Sequence, residues 1–365
     1  MTIIHAPAIP ATAAEVSAAL PTEAPEHERV LITRGPRSGL TIIVAVHSTR
    51  LGQALGGARL WRYGHWTDAL ADALRLSQAM TMKNAAAGLA RGGGKSVIAI
   101  PAGVTLDERA TRAAMLDLGD AVESLHGAYM TAEDVGTSAE LMAVVAERTE
   151  HVCGLPPEQG GVGEPADATA AGVFASITAT LEHVFGSPDL TGRHFVVAGL
   201  GQVGGRLARS LAAAGARLTV TDVAVSKHAL ADELGADWVE PGAAHLVEAD
   251  VFVPCGLGGV LTPEVVDGLR VRAVVGAANN QLAAREVAGL LTERRIVWAP
   301  DFVVNAGGVI YLDAASDGAD QAELDTRIAG IGDTVASVLR SADEHGTTSL
   351  AAAERLARAR LDAAR

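Results

Sequence analysis

Apolar residues follow two alternating patterns along this chain. Short apolar runs rich in β-branched residues are typical of buried strands, and longer stretches with apolar residues three to four positions apart are typical of helices. The predicted strands are residues 40–47, 96–100, 194–198, 217–222, 251–253, 271–275 and 296–298. The main predicted helices are residues 67–88, 106–125 and 168–185, one that opens at Thr137, and two after about residue 319. Strands and helices alternate from residue 194 onward, which predicts a parallel α/β sheet.

The length of 365 residues predicts two domains. Residues 1–28 are rich in Ala, Pro and Glu and are expected to be a variable lead-in, with a short helix near residues 13–20. The Gly- and Pro-rich segment 154–165 is expected to be a hinge. We therefore expect an α/β domain over residues 29–155, a doubly wound domain over 156–325, and C-terminal helices over 326–365 that pack back across the domain boundary.

Charge and cysteine content narrow the function classes. The formal net charge of −14 argues against nucleic acid or an anionic membrane as the main partner. Cys153 and Cys255 form no disulfide framework, which favours a reducing compartment. No apolar run reaches transmembrane length, and the N-terminus lacks the basic start and apolar core of a signal peptide. We therefore expect a cytoplasmic protein.

A glycine motif follows the predicted strand at residues 194–198. Gly199, Gly201 and Gly204 have the G-x-G-x-x-G spacing, which permits a tight turn, a close approach to a pyrophosphate and close helix packing. Asp222 ends the next strand, where a carboxylate would bind the adenosine ribose and repel a 2′-phosphate. The motif predicts a Rossmann-type domain that binds NAD rather than NADP. The alternative is a tight turn with a surface aspartate.

Two charged residues in the first half have unusual neighbours. Residues 52–62 are expected to be a loop, and three consecutive glycines, expected to form a turn or to lie against a ligand, precede Lys95. Lys95 would then lie at the mouth of a buried strand, which favours a functional role over a solvated loop lysine. Asp134 precedes a predicted capping box that begins at Thr137, so a helix dipole would keep its carboxylate ionised. A simple capping or turn role for Asp134 is the alternative.

Polar and glycine-rich clusters follow three strands of the second half, at residues 254–256, 276–280 and 301–308. In a parallel sheet, ligands bind beyond the carboxyl ends of the strands, where these clusters would lie. The paired Asn279 and Asn280 are suited to donate amide hydrogen bonds to a carboxylate or a carboxamide.

Taken together, these motifs resemble the amino-acid dehydrogenases that include leucine, valine and phenylalanine dehydrogenase, with glutamate dehydrogenase as a distant relative. The matching stretches are residues 47–59, 82–84, 92–95, 131–137, 199–204, 254–255, 276–281 and 299–308. The chain departs from the family pattern at Gln53, where Pro is common, at Arg91, where Leu, Pro, His or Met is commoner, and at Glu164, where relatives carry a smaller polar residue. None of these departures removes a group that the reaction needs.

The resemblance implies a role for individual residues. Lys95 is implied as the base that activates water, and Asp134 as the residue that exchanges a proton with the substrate amine. The implied substrate-binding residues are Lys83, which would hold the α-carboxylate, Gly57, Asn280 and Asn305, and a side-chain pocket of Leu55, Ala132, Val309 and Leu312. The implied cofactor-binding residues are Arg59, Thr169, Gly199, Gly201, Gln202, Val203, Gly204, Asp222, Cys255, Ala277, Asn279, Asn280 and Asn305. No metal site is expected.

The reaction implied by the resemblance is reversible oxidative deamination. An L-amino acid, NAD+ and water give a 2-oxo acid, ammonium and NADH, and the cofactor carries the hydride chemistry. To act as a base near neutral pH, Lys95 must titrate well below the ordinary lysine pKa of about 10.4. Desolvation and the neighbouring Lys83 are expected to lower its pKa. The first domain is implied to bind substrate and to mediate oligomerisation, so a homo-oligomer is expected; relatives range from dimers to octamers.

The implied pocket is aliphatic, which bears on the substrate. A glutamate side chain would leave its carboxylate buried and unpaired there. Leu55 and Val309 fill space where relatives that use phenylalanine tend to be smaller, so valine or leucine is predicted, with phenylalanine or another aromatic amino acid as the alternative. Two other functions were weighed: a non-catalytic NAD sensor, which the intact lysines and Asp134 oppose, and a 2-hydroxy-acid dehydrogenase, which would need a histidine at a strand end.

Overall fold

The structure, a computed structural model, describes residues 26–159, 165–316 and 318–364. The short helix expected near residues 13–20 lies outside the described residues, and so does part of the hinge expected at 154–165. The described strands form two separate sheets, one in each half of the chain. This arrangement confirms the predicted α/β class with two units.

The first unit is a mixed five-stranded sheet between helices. Its strands are β1 (Arg29–Arg34), β2 (Thr41–Ser48), β3 (Ala54–Tyr63), β4 (Gly92–Pro101) and β5 (Tyr129–Glu133), and its helices are α1 (Trp66–Ala86), α2 (Glu108–Glu123) and α3 (Ala139–Ala146). The strand order is β1-β2-β4-β3-β5, antiparallel as far as β4 and parallel from β4 to β5. Successive side chains point to opposite faces, so Ile43 and Val97 pack against α1, while Ile42 and Ile98 pack against α2 and α3.

The second unit is a parallel six-stranded sheet. It contains α4 (Ala166–Phe185), β6 (His194–Ala198), α5 (Gln202–Ala213), β7 (Arg217–Thr221), α6 (His228–Leu234), β8 (Asp237–Trp238), β9 (Val251–Pro254), α7 (Pro263–Gly268), β10 (Ala273–Val274), α8 (Val287–Glu293) and β11 (Val297–Trp298). The order β11-β10-β9-β6-β7-β8 is that of a doubly wound dinucleotide-binding fold. The strand order reverses between β6 and β9, so the loops after these two strands meet at the expected ligand-binding edge.

The last part of the chain is helical and returns to the first unit. The helices are α9 (Asp301–Val304), α10 (Gly307–Ser316), α11 (Gln321–His345) and α12 (Ser349–Ala363). α11 packs along α4, and α12 packs against α1, where Arg360 donates a hydrogen bond to the Ala85 carbonyl at 2.9 Å. The prediction that the C-terminal helices pack back across the boundary is confirmed.

The expected loop at residues 52–62 is instead the strand β3, and the three glycines before Lys95 lie within β4 rather than in a turn. A Cβ on Gly93 would lie 2.1 Å from the Thr81 nitrogen, and a Cβ on Gly94 would lie 2.5 Å from the Tyr129 ring. Glycine therefore allows α1 and Tyr129 to pack closely against β4. The low β-propensity of glycine concealed β3 and the glycine-rich start of β4 in the sequence.

Two helix starts also differ from the expected ones. α1 begins at Trp66, after the N-cap His65, rather than at residue 67, and α3 is capped by Ser138 rather than by a box that begins at Thr137. The strands β1 and β8 and the short helix α9 were not predicted, because none of them is long or strongly periodic.

We predict that Gly93→Ala destabilises the protein by at least about 1–3 kcal/mol, the usual cost of overpacking, because the new methyl group would meet the Thr81 backbone. The matched control is Gly289→Ala in α8, where no atom of the described residues outside the local helix backbone lies within 4 Å of the added Cβ. This control should leave stability unchanged or raise it by up to about 1 kcal/mol. Urea denaturation measures both variants, and equal stabilities would contradict the packing role of Gly93.

Candidate active site

The buried Lys95 of β4 forms an ion pair with Asp134, which directly follows β5 and is partly buried. The Lys95 Nζ donates a hydrogen bond to Asp134 Oδ2 at 2.7 Å, and Lys95 is only 5% exposed. Burial lowers the pKa of Lys95; the Asp134 carboxylate opposes this effect, and the Arg59 guanidinium lowers the pKa further. Lys95 therefore gives up its proton more readily than a solvated lysine does.

Arg59 of β3 holds Asp134 from a second direction. Its Nε donates to Asp134 Oδ2 at 3.2 Å, and its Nη1 donates to Asp72 Oδ2 at 2.8 Å. The Tyr63 hydroxyl donates to the same Asp72 oxygen at 2.8 Å. Burial would raise the pKa of Asp134, but Lys95 and Arg59 outweigh it and keep the pKa below its ordinary value. Asp134 is thus an ionised proton acceptor in a fixed orientation.

Asp72 and Tyr63 were missed by the sequence analysis. Asp72 is three residues after Ala69 and one before Ala73, both fully buried on the side of α1 that packs on the sheet. An acidic residue on the buried stripe of an amphipathic helix is the signal that could have found it.

Lys83, in the last turn of α1, reaches across to the second unit. Its Nζ donates to Asn279 Oδ1 at 3.3 Å, and the Asn305 Nδ2 donates to the same oxygen at 2.9 Å and to the Ala277 carbonyl at 3.1 Å. Burial lowers the pKa of Lys83 to about 8, although the Asp301 carboxylate acts in the opposite direction. Lys83 and Asn305 therefore meet at Asn279 and not at Asn280, which the resemblance had implied as a substrate-binding residue.

The loop of residues 276–281, which carries Asn279 and Asn280, is held in place by buried polar contacts. Asp301 Oδ2 accepts a hydrogen bond from the Gln281 amide at 2.7 Å, and Gln281 Nε2 donates to the Gly276 carbonyl at 2.8 Å. The Trp298 indole donates to Gln281 Oε1 at 2.9 Å. Asn280 has a positive φ of 52°, a conformation that asparagine tolerates better than most residues. The sequence did not reveal this support, since its members lie on separate elements.

The four expected pocket residues lie in one apolar cluster. Leu55, Ala132 and Leu312 are buried together with Cys153, and Val309 and Met130 pack against them. The cluster joins β3 and β5 of the first unit to α10. Cys153 and Met130 were not expected as pocket residues. Burial raises the pKa of Cys153 to about 12, so its thiol is neutral and acts as an apolar side chain.

The glycine loop after β6 fits a bound pyrophosphate. Gly201 is the N-cap of α5 and supplies no side-chain cap, and a Cβ on it would lie more than 4 Å from the atoms of the described residues outside its own neighbourhood. The start of α5 is therefore open to an anion. A Cβ on Gly204 would lie 2.0 Å from the Gly199 carbonyl and 2.9 Å from the Cys255 side chain. Asp222 accepts hydrogen bonds from the Leu200 amide at 2.7 Å and the Ala224 amide at 2.8 Å.

The other expected cofactor-binding residues are divided between the second unit and the first. Gln202 and Val203 form the first turn of α5, and Gln202 lines a cleft together with Asp134 and Leu312. Thr169 of α4 lies against the start of α10, since a Cβ on Gly308 would be 2.9 Å from its hydroxyl. Arg59 lies in the first unit with Asp134 and Asp72, so its expected cofactor contact stays a prediction.

The described segments contain neither a candidate metal site nor a helix suited to span a membrane. No group of three or more His, Cys, Asp and Glu side chains is arranged there to hold a metal ion. Among the helices of these segments, none is long and apolar enough to cross a membrane.

Comparison with known proteins matches both halves of the chain. The family described as Glu/Leu/Phe/Val dehydrogenase, dimerisation domain, matches residues 27–151, and the family described as Glutamate/Leucine/Phenylalanine/Valine dehydrogenase matches residues 223–365. Leucine dehydrogenase of Thermoactinomyces intermedius is 39% identical over 338 residues, 92% of this chain and 91% of the relative. Valine dehydrogenase of Streptomyces albus is 40% identical over 351 residues, 93% of each chain. The chain belongs to the Glu/Leu/Phe/Val dehydrogenase family.

The solved structures agree with this membership. The crystal structure of L-tryptophan dehydrogenase from Nostoc punctiforme matches with a TM-score of 0.80 at 34% identity, over 93% of this chain and 97% of that chain. The protein is therefore an oxidoreductase of the amino-acid dehydrogenase class, whose members use a nicotinamide cofactor. Family membership favours this class over the sensor and the 2-hydroxy-acid dehydrogenase. The roles of single residues stay predictions.

We predict that the charge on Lys83 makes the stability of this dehydrogenase depend on pH. Its pKa is about 8 in the folded protein and about 10.4 in an unfolded chain. Between these values the unfolded state binds more protons, so stability rises with pH, and below pH 8 the buried charge costs stability in full. Lys83→Met removes that cost and should be more stable than wild type at pH 7, by a margin that shrinks above pH 8.

Denaturation curves from pH 6 to pH 10 measure this margin. Lys83→Arg is the control, because arginine keeps its charge throughout and should show no rise in stability in this window. A margin for Lys83→Met that does not vary with pH would contradict the predicted burial cost.

Proposed function

We propose that this dehydrogenase catalyses the reversible NAD-dependent oxidative deamination of a hydrophobic L-amino acid. The observation that carries the proposal is the Lys95–Asp134 pair at 2.7 Å, beside a cleft that Gln202 of the glycine loop also lines. A proton-transfer pair, a cation for a carboxylate and an apolar pocket converge there. These are the groups that deamination of an apolar amino acid requires.

The substrate would bind between the two units. Lys83 would exchange its contact with Asn279 for the substrate α-carboxylate, because an ammonium–carboxylate hydrogen bond is stronger than one to a neutral amide. The buried Asn305 Oδ1, which has no hydrogen-bond partner among the described residues, is available to an amide or amine donor. The substrate side chain would enter the cluster of Leu55, Ala132 and Leu312.

The residues of the chain would move the protons. When bound, the nicotinamide cofactor accepts the hydride that leaves Cα. Asp134, kept ionised by Lys95 and Arg59, would take a proton from the substrate ammonium. Lys95, once it has released its ammonium proton to solvent, would then remove a proton from the water that adds to the iminium carbon. Asp134 would return a proton to the amine, the C–N bond would break, and the hydroxyl proton would leave with the ammonia as ammonium. The products are a 2-oxo acid, ammonium, the reduced cofactor and one proton.

Lys95→Ala should lower kcat by about 10²–10⁴, the usual contribution of general acid–base catalysis. NADH affinity should be unchanged, since the glycine loop is untouched; NADH absorbance and fluorescence titration measure the two quantities. Arg112→Ala is the control, because it removes another cation of the first unit, one that pairs with Glu147 on the surface. Near-normal turnover of Lys95→Ala would rule out the proposed base.

The cofactor is proposed to be NAD rather than NADP. Asp222 is anchored by the Leu200 and Ala224 amides at the edge of the glycine loop, and a fixed negative charge there repels a 2′-phosphate. We predict a higher kcat/KM with NAD+ than with NADP+. The ratio of the two values should be smaller in Asp222→Ala. Asp222→Asn separates the loss of charge from the loss of anchoring. A better kcat/KM of the wild type with NADP+ would contradict this proposal.

The proposed substrate is L-valine or L-leucine. Leu55, Ala132, Val309 and Leu312 offer no charge to a glutamate side chain, whose carboxylate would be buried unpaired. We predict the highest kcat/KM for valine or leucine, weaker use of phenylalanine and essentially none of glutamate, as read from NADH formation with a panel of L-amino acids. Substrates that differ by one methylene should have similar kcat/KM values, because one methylene contributes only about 1–3 kcal/mol to their discrimination. A preference for phenylalanine or tryptophan would favour the aromatic alternative and leave the mechanism intact.

We also propose that the protein is a cytoplasmic homo-oligomer. The family that matches residues 27–151 is described as a dimerisation domain. β1 is an edge strand in the described sheet, and its Val30 and Ile32 are 42% and 44% exposed, so it offers a surface to a second copy. Cys153 and Cys255 are both free thiols, which suits a reducing compartment.

A further inference from the structure

Arg91 and Asp313 form a largely buried ion pair between the two units. The Arg91 Nε donates to Asp313 Oδ1 at 2.6 Å, with the two side chains 15% and 6% exposed. Arg91 also donates to Ser316 Oγ at 3.0 Å and to Gln53 Oε1 at 3.3 Å. The contacts tie the loop before β4 and the residue before β3 to two residues of α10.

This ion pair lies directly behind the apolar pocket. Asp313 follows Leu312 in α10, and Val309 is one turn earlier on the same helix. The Cys153 thiol, which packs with Leu312, is close enough to Arg91 and Asp313 for both charges to act on it. A shift of α10 relative to the first unit would therefore move two pocket side chains at once.

α10 depends on such contacts for its position. The helix is short and starts with Gly307 and Gly308, which have low helix propensity, so tertiary contacts must fix it. Its Ile310 and Ala314 pack in a separate cluster with Ile328 of α11. The Arg91–Asp313 pair adds a directional hydrogen bond from the first unit, and it uses two positions, Gln53 and Arg91, at which this chain departs from the family pattern.

We propose that the Arg91–Asp313 pair is a positioning element that sets the width of the substrate side-chain pocket. It holds α10 so that Leu312 and Val309 narrow the pocket to the size of a branched aliphatic side chain. The inference rests on the proposed function, because it concerns the specificity of the same site. Among the described residues, neither side chain forms a hydrogen bond or an ion pair with Lys95 or Asp134, so we expect the chemistry to stay intact when the Arg91–Asp313 pair is removed.

The test is a double-mutant cycle of Arg91→Met, Asp313→Leu and the double variant. A single substitution removes one side of the ion pair, although Asp313 still has Arg327 at 3.7 Å in Arg91→Met. The double variant replaces both sides with apolar side chains, a change that a buried ion pair can tolerate without loss of stability. The readout is the ratio of kcat/KM for L-phenylalanine to that for L-valine. The ratio should rise by about tenfold or more, within the discrimination that one methylene provides. The double variant should shift it no further than a single one, since the two residues act as a unit.

Two controls separate positioning from general destabilisation. Arg112→Met breaks a surface ion pair of the first unit and should leave the ratio at the wild-type value. Arg91→Lys keeps the charge and should restore most of the wild-type ratio. A folded double variant with an unchanged ratio, or with a shift toward smaller side chains, would overturn the proposal. Failure of the proposed function itself is distinguishable, because the wild type would then form no NADH with any L-amino acid.

Discussion

The ion pair of the buried Lys95 with the partly buried Asp134, 2.7 Å apart, is the interaction on which the rest of this candidate active site depends. Removing both charges from water is costly, and such a pair is stable only when further hydrogen bonds compensate. Arg59 supplies one of these contacts, and Asp72 and Tyr63 fix Arg59 in turn. The network keeps Asp134 ionised while burial lowers the pKa of Lys95, so one residue can accept a proton and the other can lose one.

The pair can form only because the backbones around it approach closely. A Cβ on Gly57 would lie 2.7 Å from the Asp134 Cβ, and one on Gly56 would lie 1.8 Å from the Gly94 carbonyl. Glycines in adjacent strands thus bring β3, β4 and β5 together at the level of Lys95. Their cost in strand propensity is offset by the packing of Tyr129, whose buried hydroxyl donates to the Gly56 carbonyl at 2.7 Å.

Polar contacts join the two units on both sides of the pocket. Lys83 meets Asn279 through a contact that a substrate carboxylate can replace, whereas Arg91 meets Asp313 through a buried ion pair that is complete without substrate. A contact that the substrate can replace is suited to ligand binding. A contact that persists without substrate is suited to fixing the shape of the pocket. In the proposed function, the two contacts would thus divide substrate binding and specificity between different residues.

Local patterns in the sequence determined a large part of this protein. The order of strands and helices from His194 onward, the glycine loop and the family motifs follow from short stretches of chain, because hydrophobic periodicity and glycine spacing are local properties. They were enough to predict the doubly wound fold and the enzyme class, whereas the roles of Lys83, Lys95 and the pocket residues stay predictions. β3 and the glycines of β4 were missed, because their strand structure is imposed by neighbours and not by propensity.

Only the tertiary structure decided which side chains meet. Asp72 reaches Arg59 across thirteen residues, Asn279 reaches Lys83 across nearly two hundred, and Arg91 reaches Asp313 across more than two hundred. Hydrogen bonds and ion pairs act over a few ångströms, so their partners are set by how the sheets and helices pack, and that packing is a property of the whole chain rather than of any segment. The sequence therefore determined the chemical groups that are available, and the fold determined which of them meet: Lys95 with Asp134, Lys83 with Asn279, and Arg91 with Asp313.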